Sequence, residues 1–318
     1  MLLIATDEAG YGPKLGPLVV AAVVGRIESG SVSLQKDEVV AAFQPMINPV
    51  LIDGRKVRID DSKSVYKSGA GLSGLHHVVS ASHHWCGNRL NDVMDIIRHV
   101  ANEDQQDIAA APWLDRIEPQ PLTPETETAA AINQWRSAGF DLIDVQARVI
   151  TAKRFNQFCC DGQNKADLLT ASTLGLVRDA ISQDKQGDDI QVFCDRHGGR
   201  RYYADAIRSF FPEANTEAIS ETKLESVYHG SVGDRQIRFA FTVKGDRFTP
   251  VALASMHAKY LRERFMGSLN AYFLSHHQGE NSPKPTAGYP VDADRFLEEI
   301  SATITQEGID HADLVRAR

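Results

Sequence analysis

The first thirteen residues constrain this chain more than any other stretch. Leu2-Leu3-Ile4-Ala5-Thr6 is a short apolar run that leads directly into two carboxylates, Asp7-Glu8, and then into a turn, Ala9-Gly10-Tyr11-Gly12-Pro13. The segment after it, Leu15-Gly16-Pro17-Leu18-Val19-Val20-Ala21-Ala22-Val23-Val24, is rich in β-branched residues and predicts a second strand. The opening therefore reads as a hairpin whose first strand belongs to a core and ends in two acids. Carboxylates in that position are costly unless a cation or hydrogen-bond donors compensate them. The adjoining glycines let another backbone approach closely. Alone, an Asp-Glu pair is as compatible with a turn-initiating Asp and a solvated Glu, so other stretches have to decide.

A length of 318 residues allows one large domain or two ordinary ones. With 42% hydrophobic and 24% charged residues the composition is that of a globular protein and excludes global disorder. The net charge of −8 does not suit a general nucleic-acid coat, which is usually basic. It leaves room for a nuclease, because a metal-binding carboxylate cluster is itself acidic and a local basic stripe can hold phosphates. Cys86, Cys159, Cys160 and Cys194 form neither a disulfide framework nor a Cys-x-x-Cys zinc pattern, so reduced, buried thiols are expected. The start of the chain has no basic n-region and reaches Asp7 too soon for a signal peptide. No apolar run is long enough to span a bilayer. The expectation is a soluble cytoplasmic protein without membrane association.

Further along, Val57-Arg58-Ile59-Asp60-Asp61-Ser62-Lys63 predicts a strand ending in a polar turn, and Ser68–Gly74 is a Gly/Ser-rich connection. Helices are predicted through Leu75–Val79, over Leu90–Val100 with Leu90, Val93, Ile96, Ile97 and Val100 on one face, and over Thr126–Ser137. The Pro- and acid-rich stretch Ile117–Glu127 reads as a loop. His76-His77, His83-His84 and Cys86 match no zinc spacing and read as surface histidines on a helical hairpin. Asp141–Ile150 predicts a strand and Asn164–Ile181 a helix. Ile190-Gln191-Val192-Phe193-Cys194-Asp195 predicts a strand that delivers a carboxylate to a basic, flexible run, Arg196–Arg201. A short helix over Tyr202–Phe211 and a strand over Ile237–Val243 follow. After Lys244-Gly245-Asp246, Thr249 is placed as N-cap and Pro250 at the first position of a long helix. Its core stripe is Val251, Ala254, Ala258, Leu261, Phe265, Leu269 and Tyr272, with His257, Arg262, Glu263 and Arg264 off the stripe. His276–Pro285 reads as a loop, the turn 276–290 as able to close over a ligand, and Asp294–Ile304 as an amphipathic helix.

Asp7, Glu8, Asp195 and Asp246 each fall at a strand end or a strand–helix junction, where open α/β sheets present their sites. Convergent carboxylates repel one another unless divalent cations lie among them, and oxygen-only ligands suit Mg2+ or Mn2+. Two such ions about 4 Å apart stabilise the attacking and leaving oxygens of an in-line phosphoryl displacement.

Asp7-Glu8-Ala9-Gly10-Tyr11-Gly12-Pro13 with Leu15-Gly16-Pro17 resembles the opening motif of the type 2 ribonuclease H family. Asp61-Ser62-Lys63 resembles that family's Asp-Ser-Lys motif, and Val192-Phe193-Cys194-Asp195 the strand carrying its third acid. Lys244-Gly245-Asp246 with Ala254-Ser255 and Ala258-Lys259 is similar to its Lys-Gly/Ala-Asp segment and following helix. Gly288-Tyr289-Pro290 with Asp292 resembles its Gly-Tyr-Pro-x-Asp signature. The matches occur in family order from residue 1 to about residue 300.

The resemblance implies an RNase H-like α/β fold, a central mixed β-sheet flanked by helices. It implies one catalytic domain over 1–318, with 76–139 as an inserted helical segment and 276–318 as a C-terminal extension. The implied activity is metal-dependent endonucleolytic cleavage of RNA in RNA–DNA hybrids, or at ribonucleotides embedded in DNA, leaving 3′-hydroxyl and 5′-phosphate ends. Asp7, Glu8, Asp195 and Asp246 would be the ligands of Mg2+ or Mn2+. The backbone of Gly10, Tyr11 and Gly12 would read the ribose 2′-hydroxyl, Tyr289 would stack on the sugar at the junction, and Lys63, Lys244 and Ser255 would contact phosphate. The sequence departs from the family in four places. Tyr11 stands where the family has the arginine of Gly-Arg-Gly, Arg262-Glu263 replaces an Arg-Asp pair, the gap between Asp195 and Asp246 is long, and residues 76–139 are added. Two alternatives follow from these departures: a nuclease of the same fold with altered nucleic-acid specificity, or a non-catalytic module that binds nucleic acid or a partner.

Overall fold

A computed structural model describes residues 1–27, 43–67, 71–160 and 162–317. Residues 68–70 of the Gly/Ser-rich connection lie outside the described residues. The strands are β1 (Leu2–Ala9), β2 (Leu18–Ile27), β3 (Val50–Ile52), β4 (Arg55–Val57), β5 (Phe140–Ile150), β6 (Ile190–Asp195), β7 (Glu217–Glu221), β8 (Glu225–Val232) and β9 (Arg235–Thr242). Seven of them form one sheet in the order β5-β2-β1-β6-β9-β8-β7, while β3 and β4 make a separate hairpin. β1 pairs antiparallel with β2 and parallel with β6, and β6 pairs parallel with β9. This is the RNase H-like architecture, a central mixed sheet flanked by helices.

Leu2–Thr6 of β1 are buried on both faces, as a central strand covered by helices on either side must be. Its side chains alternate between two cores. Leu3 and Ala5 join the cluster containing Leu253, Met256 and Phe265, whereas Leu2 and Ile4 join the one containing Leu174 and Val177. The helices that cover the sheet or border the cleft are α1 (Ser62–Lys67), α2 (Leu72–Trp85), α3 (Val93–Val100), α4 (Glu125–Arg136), α5 (Ala152–Cys160), α6 (Lys165–Gln183), α7 (Ala204–Phe210), α8 (Thr249–His276) and α9 (Pro290–Glu299). α8 lies across β1 and β2, and α6 covers the opposite face. The block 76–139 packs on α8: Val78, Val79, Ile97 and Trp135 share the cluster of Leu3 and Phe265. Among the described residues, no helix is long and apolar enough to cross a membrane.

Several expectations need correction. α8 is capped by Phe248 without a side-chain hydrogen bond, so Thr249 lies inside the helix and does not cap it. His76, His77 and His83 are buried, not surface residues. The rings of His76 and His77 can enter the core because α8 and the loop over α2 supply them with hydrogen-bond partners. His76 shares hydrogen bonds with Tyr260 Oη (2.7 Å) and Pro121 O (3.1 Å), and His77 with Thr123 Oγ1 (2.9 Å). His257 and Arg262, placed off the apolar stripe of α8, are also buried, because the helix is covered on more than one face. The four cysteines are free, but only Cys194 is buried; Cys86 and Cys159 are half-buried and Cys160 is exposed. The helix expected over Asp294–Ile304 is two helices, α9 and Ser301–Gln306. The long gap before Asp246 holds the β7–β8 hairpin, which extends the sheet.

Candidate active site

Parallel pairing brings the first acids together. Thr6 is the register partner of Cys194, so the next residue on each strand, Asp7 and Asp195, lies beside the other at the end of the parallel pairing. Cys194 and Asp195 in turn pair with Phe241 and Thr242 of β9, and the chain beyond β9 reaches Asp246 within a short helical turn, Gly245–Arg247. One ligand oxygen each from Asp7, Glu8 and Asp195 lie within 4.8 Å of one another, the only such group among the described residues. Asp246 borders the same cleft and repels both Asp7 and Asp195.

Two tight contacts hold this arrangement. The Gly245 N–H donates to Asp195 Oδ1 (2.6 Å), and a Cβ on Gly245 would come within 3.0 Å of the Asp195 Cα. Lys244 precedes it with φ of 57°, a left-handed conformation uncommon outside glycine. The Asp7 carboxylate accepts from the Glu8 N–H (2.7 Å), and Ser255 Oγ lies 3.0 Å from Ser62 Oγ. Ser255 thereby ties the Asp61-Ser62-Lys63 segment to α8, and it lies near enough to Asp7 to act on its carboxyl.

The electrostatics are those of crowded acids. Burial, then repulsion by Asp195, pushes Asp7 up to about 7, against the downward pull of Ser255 and the Glu8 N–H. Burial raises Glu8 well above the carboxylate range, with repulsion by Asp7 and Asp195 adding to it. Asp195 is raised chiefly by burial, while the Gly245 N–H pulls it down. Asp246 is raised by burial and then by Asp61, and lowered by Lys63 and Arg247. Asp61 is thus a fifth acid of the cluster, which reading the motif as a lysine site overlooked. Its carboxylate also accepts from the Lys63 N–H (2.9 Å) at the start of α1.

All eleven residues singled out from the sequence line one cleft of about 740 Å³: Asp7, Glu8, Gly10, Tyr11, Gly12, Lys63, Lys244, Asp195, Asp246, Ser255 and Tyr289. Lys63, Lys244 and Tyr289 are exposed at it. Tyr289 is fixed near the glycine turn because the preceding Gly288 accepts at its carbonyl from the Lys14 (2.7 Å) and Leu15 (3.2 Å) N–H groups. Gly10 has φ of +93°, and a Cβ there would strike Arg262 Nε at 2.5 Å and Pro17 O at 2.7 Å. Gly12 has no neighbour within 4 Å of such a Cβ and opens to the cleft. Tyr11 is held to the cleft flank, with Lys165 Nζ 4.8 Å above its ring and its hydroxyl close against Gly198. The run Arg196–Arg201, expected to be flexible, is engaged internally. Arg196 donates to Lys223 O (2.7 Å) and Thr222 O (3.1 Å), Arg201 to Glu221 O (2.6 Å), and Arg200 pairs with Asp167.

No protein-family model and no curated protein matches the sequence. Among solved structures, the chain is similar to the ribonuclease H2 from Pyrococcus horikoshii OT3, with 15% identity over 99% of this chain and 92% of that one and a TM-score of 0.42. It is similar to a chain of the PCNA:RNase HII complex from Archaeoglobus fulgidus, with 15% identity, coverage of 100% and 95%, and a TM-score of 0.42. It is also similar to Bst-RNase HIII in complex with Mn2+, with 16% identity, coverage of 99% and 66%, and a TM-score of 0.40. The chain is similar to these ribonucleases over nearly its whole length.

Proposed function

We propose that this protein is a metal-dependent endoribonuclease that cleaves RNA in RNA–DNA hybrids or at ribonucleotides embedded in DNA, leaving 3′-hydroxyl and 5′-phosphate ends. One observation carries the reading above others: oxygens of Asp7, Glu8 and Asp195 converge within 4.8 Å in a cleft that also gathers the glycine turn, the two lysines and Tyr289. The donor set fits Mg2+ or Mn2+, because it is all oxygen and its repulsion calls for a divalent charge. Asp7, Glu8, Asp195 and Asp246 would hold the ions. When bound, two such ions supply the activation of the attacking water and the stabilisation of the leaving oxygen.

The remaining work falls to the chain's own groups. The Glu8 N–H orients the Asp7 carboxylate, and the Gly245 N–H orients Asp195. Lys63 and Lys244, both exposed at the cleft, would hold phosphates on either side of the scissile bond. The open approach over Gly12 lets a ribose come close to the turn backbone, where an N–H or carbonyl can engage its 2′-hydroxyl. Tyr289 offers a face on which the neighbouring sugar can stack. Tyr11 brings no fixed charge to this turn, which is the observation behind the alternative of altered specificity.

The test is cleavage of three labelled substrates, a DNA duplex with one ribonucleotide, an RNA–DNA hybrid and an all-DNA duplex, each with Mg2+, Mn2+ or chelator. Metal-dependent incision only where ribose is present supports the proposal. Equal cutting of the all-DNA duplex would replace it with a nuclease of other specificity. Binding without turnover in either metal would replace it with a non-catalytic module.

A further inference from the structure

The Gly10–Pro13 turn is reached from behind by a segment about 300 residues away in sequence. After the helical turn His311–Leu314 the chain runs antiparallel beside it, and Val315 bridges Leu15. The Arg316 N–H donates to Lys14 O (2.9 Å), and its guanidinium Nη2 donates to Pro13 O. Asn156 on α5 anchors this segment from three directions. Its Nδ2 donates to the Ala312 and Val315 carbonyls (2.7 and 2.8 Å), and its Oδ1 accepts from the Ala317 N–H (2.6 Å).

Arg316 is an unusual residue to use as an anchor. It is 3% exposed, with its guanidinium 5.2 Å over the Phe155 ring and its Nε and Nη1 buried without partners. Among the described residues no carboxylate pairs with it. The charged group that acts on it is a second buried guanidinium, Arg262, which lies against Gly10 of the same turn. Burying a guanidinium with donors unpaired is costly. If packing were its only task, a methionine of similar volume would serve as well. What the charged group adds is its grip on the Pro13 carbonyl, and through it on the turn that faces the cleft.

We propose that Arg316 is a positioning residue of the cleft, bracing the Gly10–Pro13 turn from behind so that it meets its substrate in a fixed geometry. The identity of that substrate rests on the ribonuclease reading; the bracing does not.

Three variants test it: Arg316→Met, which keeps the volume, Arg316→Lys, which keeps a cationic donor, and Asn156→Ala, which frees the segment at its other end. Two quantities are read: amide hydrogen exchange over residues 10–15 without substrate, and kinetics on a duplex containing one ribonucleotide with Mg2+. Arg316→Met is expected to melt no lower than the wild type. Its exchange at Lys14 and Leu15 should rise about tenfold, and KM about tenfold with kcat changed less than about threefold. Arg316→Lys should fall between the two, and Asn156→Ala should move both quantities in the same direction. Wild-type exchange and KM in folded Arg316→Met would overturn the proposal. So would faster exchange with an unchanged KM, which would leave Arg316 only a structural brace. A wild type that cleaves no ribose-containing duplex would sink the ribonuclease reading alone. In that case exchange, with duplex affinity measured in Ca2+, decides for or against Arg316.

Discussion

The backbone N–H of Gly245 donates to Oδ1 of Asp195 across 2.6 Å, at a point where a β-carbon would sit 3.0 Å from the Asp195 Cα and 3.2 Å from its nitrogen. The turn carrying Asp246 is thereby pressed onto the end of β6, and one carboxylate is aimed by the residue next to the other. Gly245→Ala must push those backbones apart, since neither contact is with a flexible side chain. It should cost about 1–3 kcal/mol of stability by overpacking, measured by denaturant melts. Cleavage should fall by at least about tenfold, because displacing a reacting group by a fraction of an ångström is enough to do so. A folded Gly245→Ala protein with the wild-type rate would show that this contact does not align the site.

Asp7 gives a pH-dependent prediction whose sign can be worked through. Its folded value is pushed up to about 7 from 3.8, so the folded state holds this proton more tightly than the unfolded state. The stability it contributes is present below the unfolded value and is lost as pH rises from there to about 7. Relative to Asp7→Asn, metal-free wild type should lose on the order of a few kcal/mol between pH 5 and pH 8. A divalent ion should cancel the deficit, so Mg2+ or Mn2+ should raise the wild-type melting temperature more at pH 8 than at pH 6. Asp7→Asn and Asp246→Asn should both fold and both lose cleavage. Activity retained in the two variants would remove these carboxylates from the reaction.

Much of the site was legible because its chemistry lies where local pattern is strongest. The apolar run of β1 and the strand Ile190–Asp195 each end in an acid, and parallel pairing of adjacent core strands then places those acids side by side. What pattern missed is set by tertiary partners. The β7 strand, Glu217–Glu221, is polar and largely exposed, so it carries no apolar alternation to find. Arg262, His76 and His77 look like surface residues because their burial depends on carbonyls and hydroxyls that arrive from far along the chain. Arg262 finds Ala287 O (3.0 Å), and His77 finds Thr123 Oγ1. The same holds for Arg316, whose partner Pro13 lies at the other end of the chain.

The buried histidines predict acid sensitivity of the fold, separate from the site. His257 is lowered to about 4 by burial, and the nearby His83 is also lowered, with burial first and His257 second among the causes. Their rings lie 5.8 Å apart, and the Nε2 of each is buried without a partner. A histidine that must stay neutral to fold contributes fully above its unfolded value near 6.5, and its contribution falls as pH drops below it. For His257 the drop from 6.5 to about 4 corresponds to a loss on the order of 3 kcal/mol at about 1.4 kcal/mol per unit. Thermal melts of wild type and His257→Leu between pH 7 and pH 4.5 should converge or cross, with the variant losing less. Parallel curves would show that His257 does not couple the fold to pH.

The two glycines of the opening turn should separate a folding role from a substrate role. At Gly10, φ is +93° and a β-carbon would lie 2.5 Å from Arg262 Nε and 2.7 Å from the Pro17 carbonyl oxygen. Gly10→Ala therefore meets both an unfavourable backbone conformation and a clash with a buried helix side chain, and should lose about 2–4 kcal/mol of stability. At Gly12 the same β-carbon meets nothing within 4 Å, so Gly12→Ala should melt within about 0.5 kcal/mol of the wild type. The methyl group would instead project where the substrate's ribose must approach the backbone. KM for a duplex with one ribonucleotide should rise by about tenfold or more, while an all-DNA duplex should bind as it does to the wild type. If Gly12→Ala lowers affinity for both duplexes equally, the turn contributes to general backbone binding and ribose is read elsewhere in the cleft.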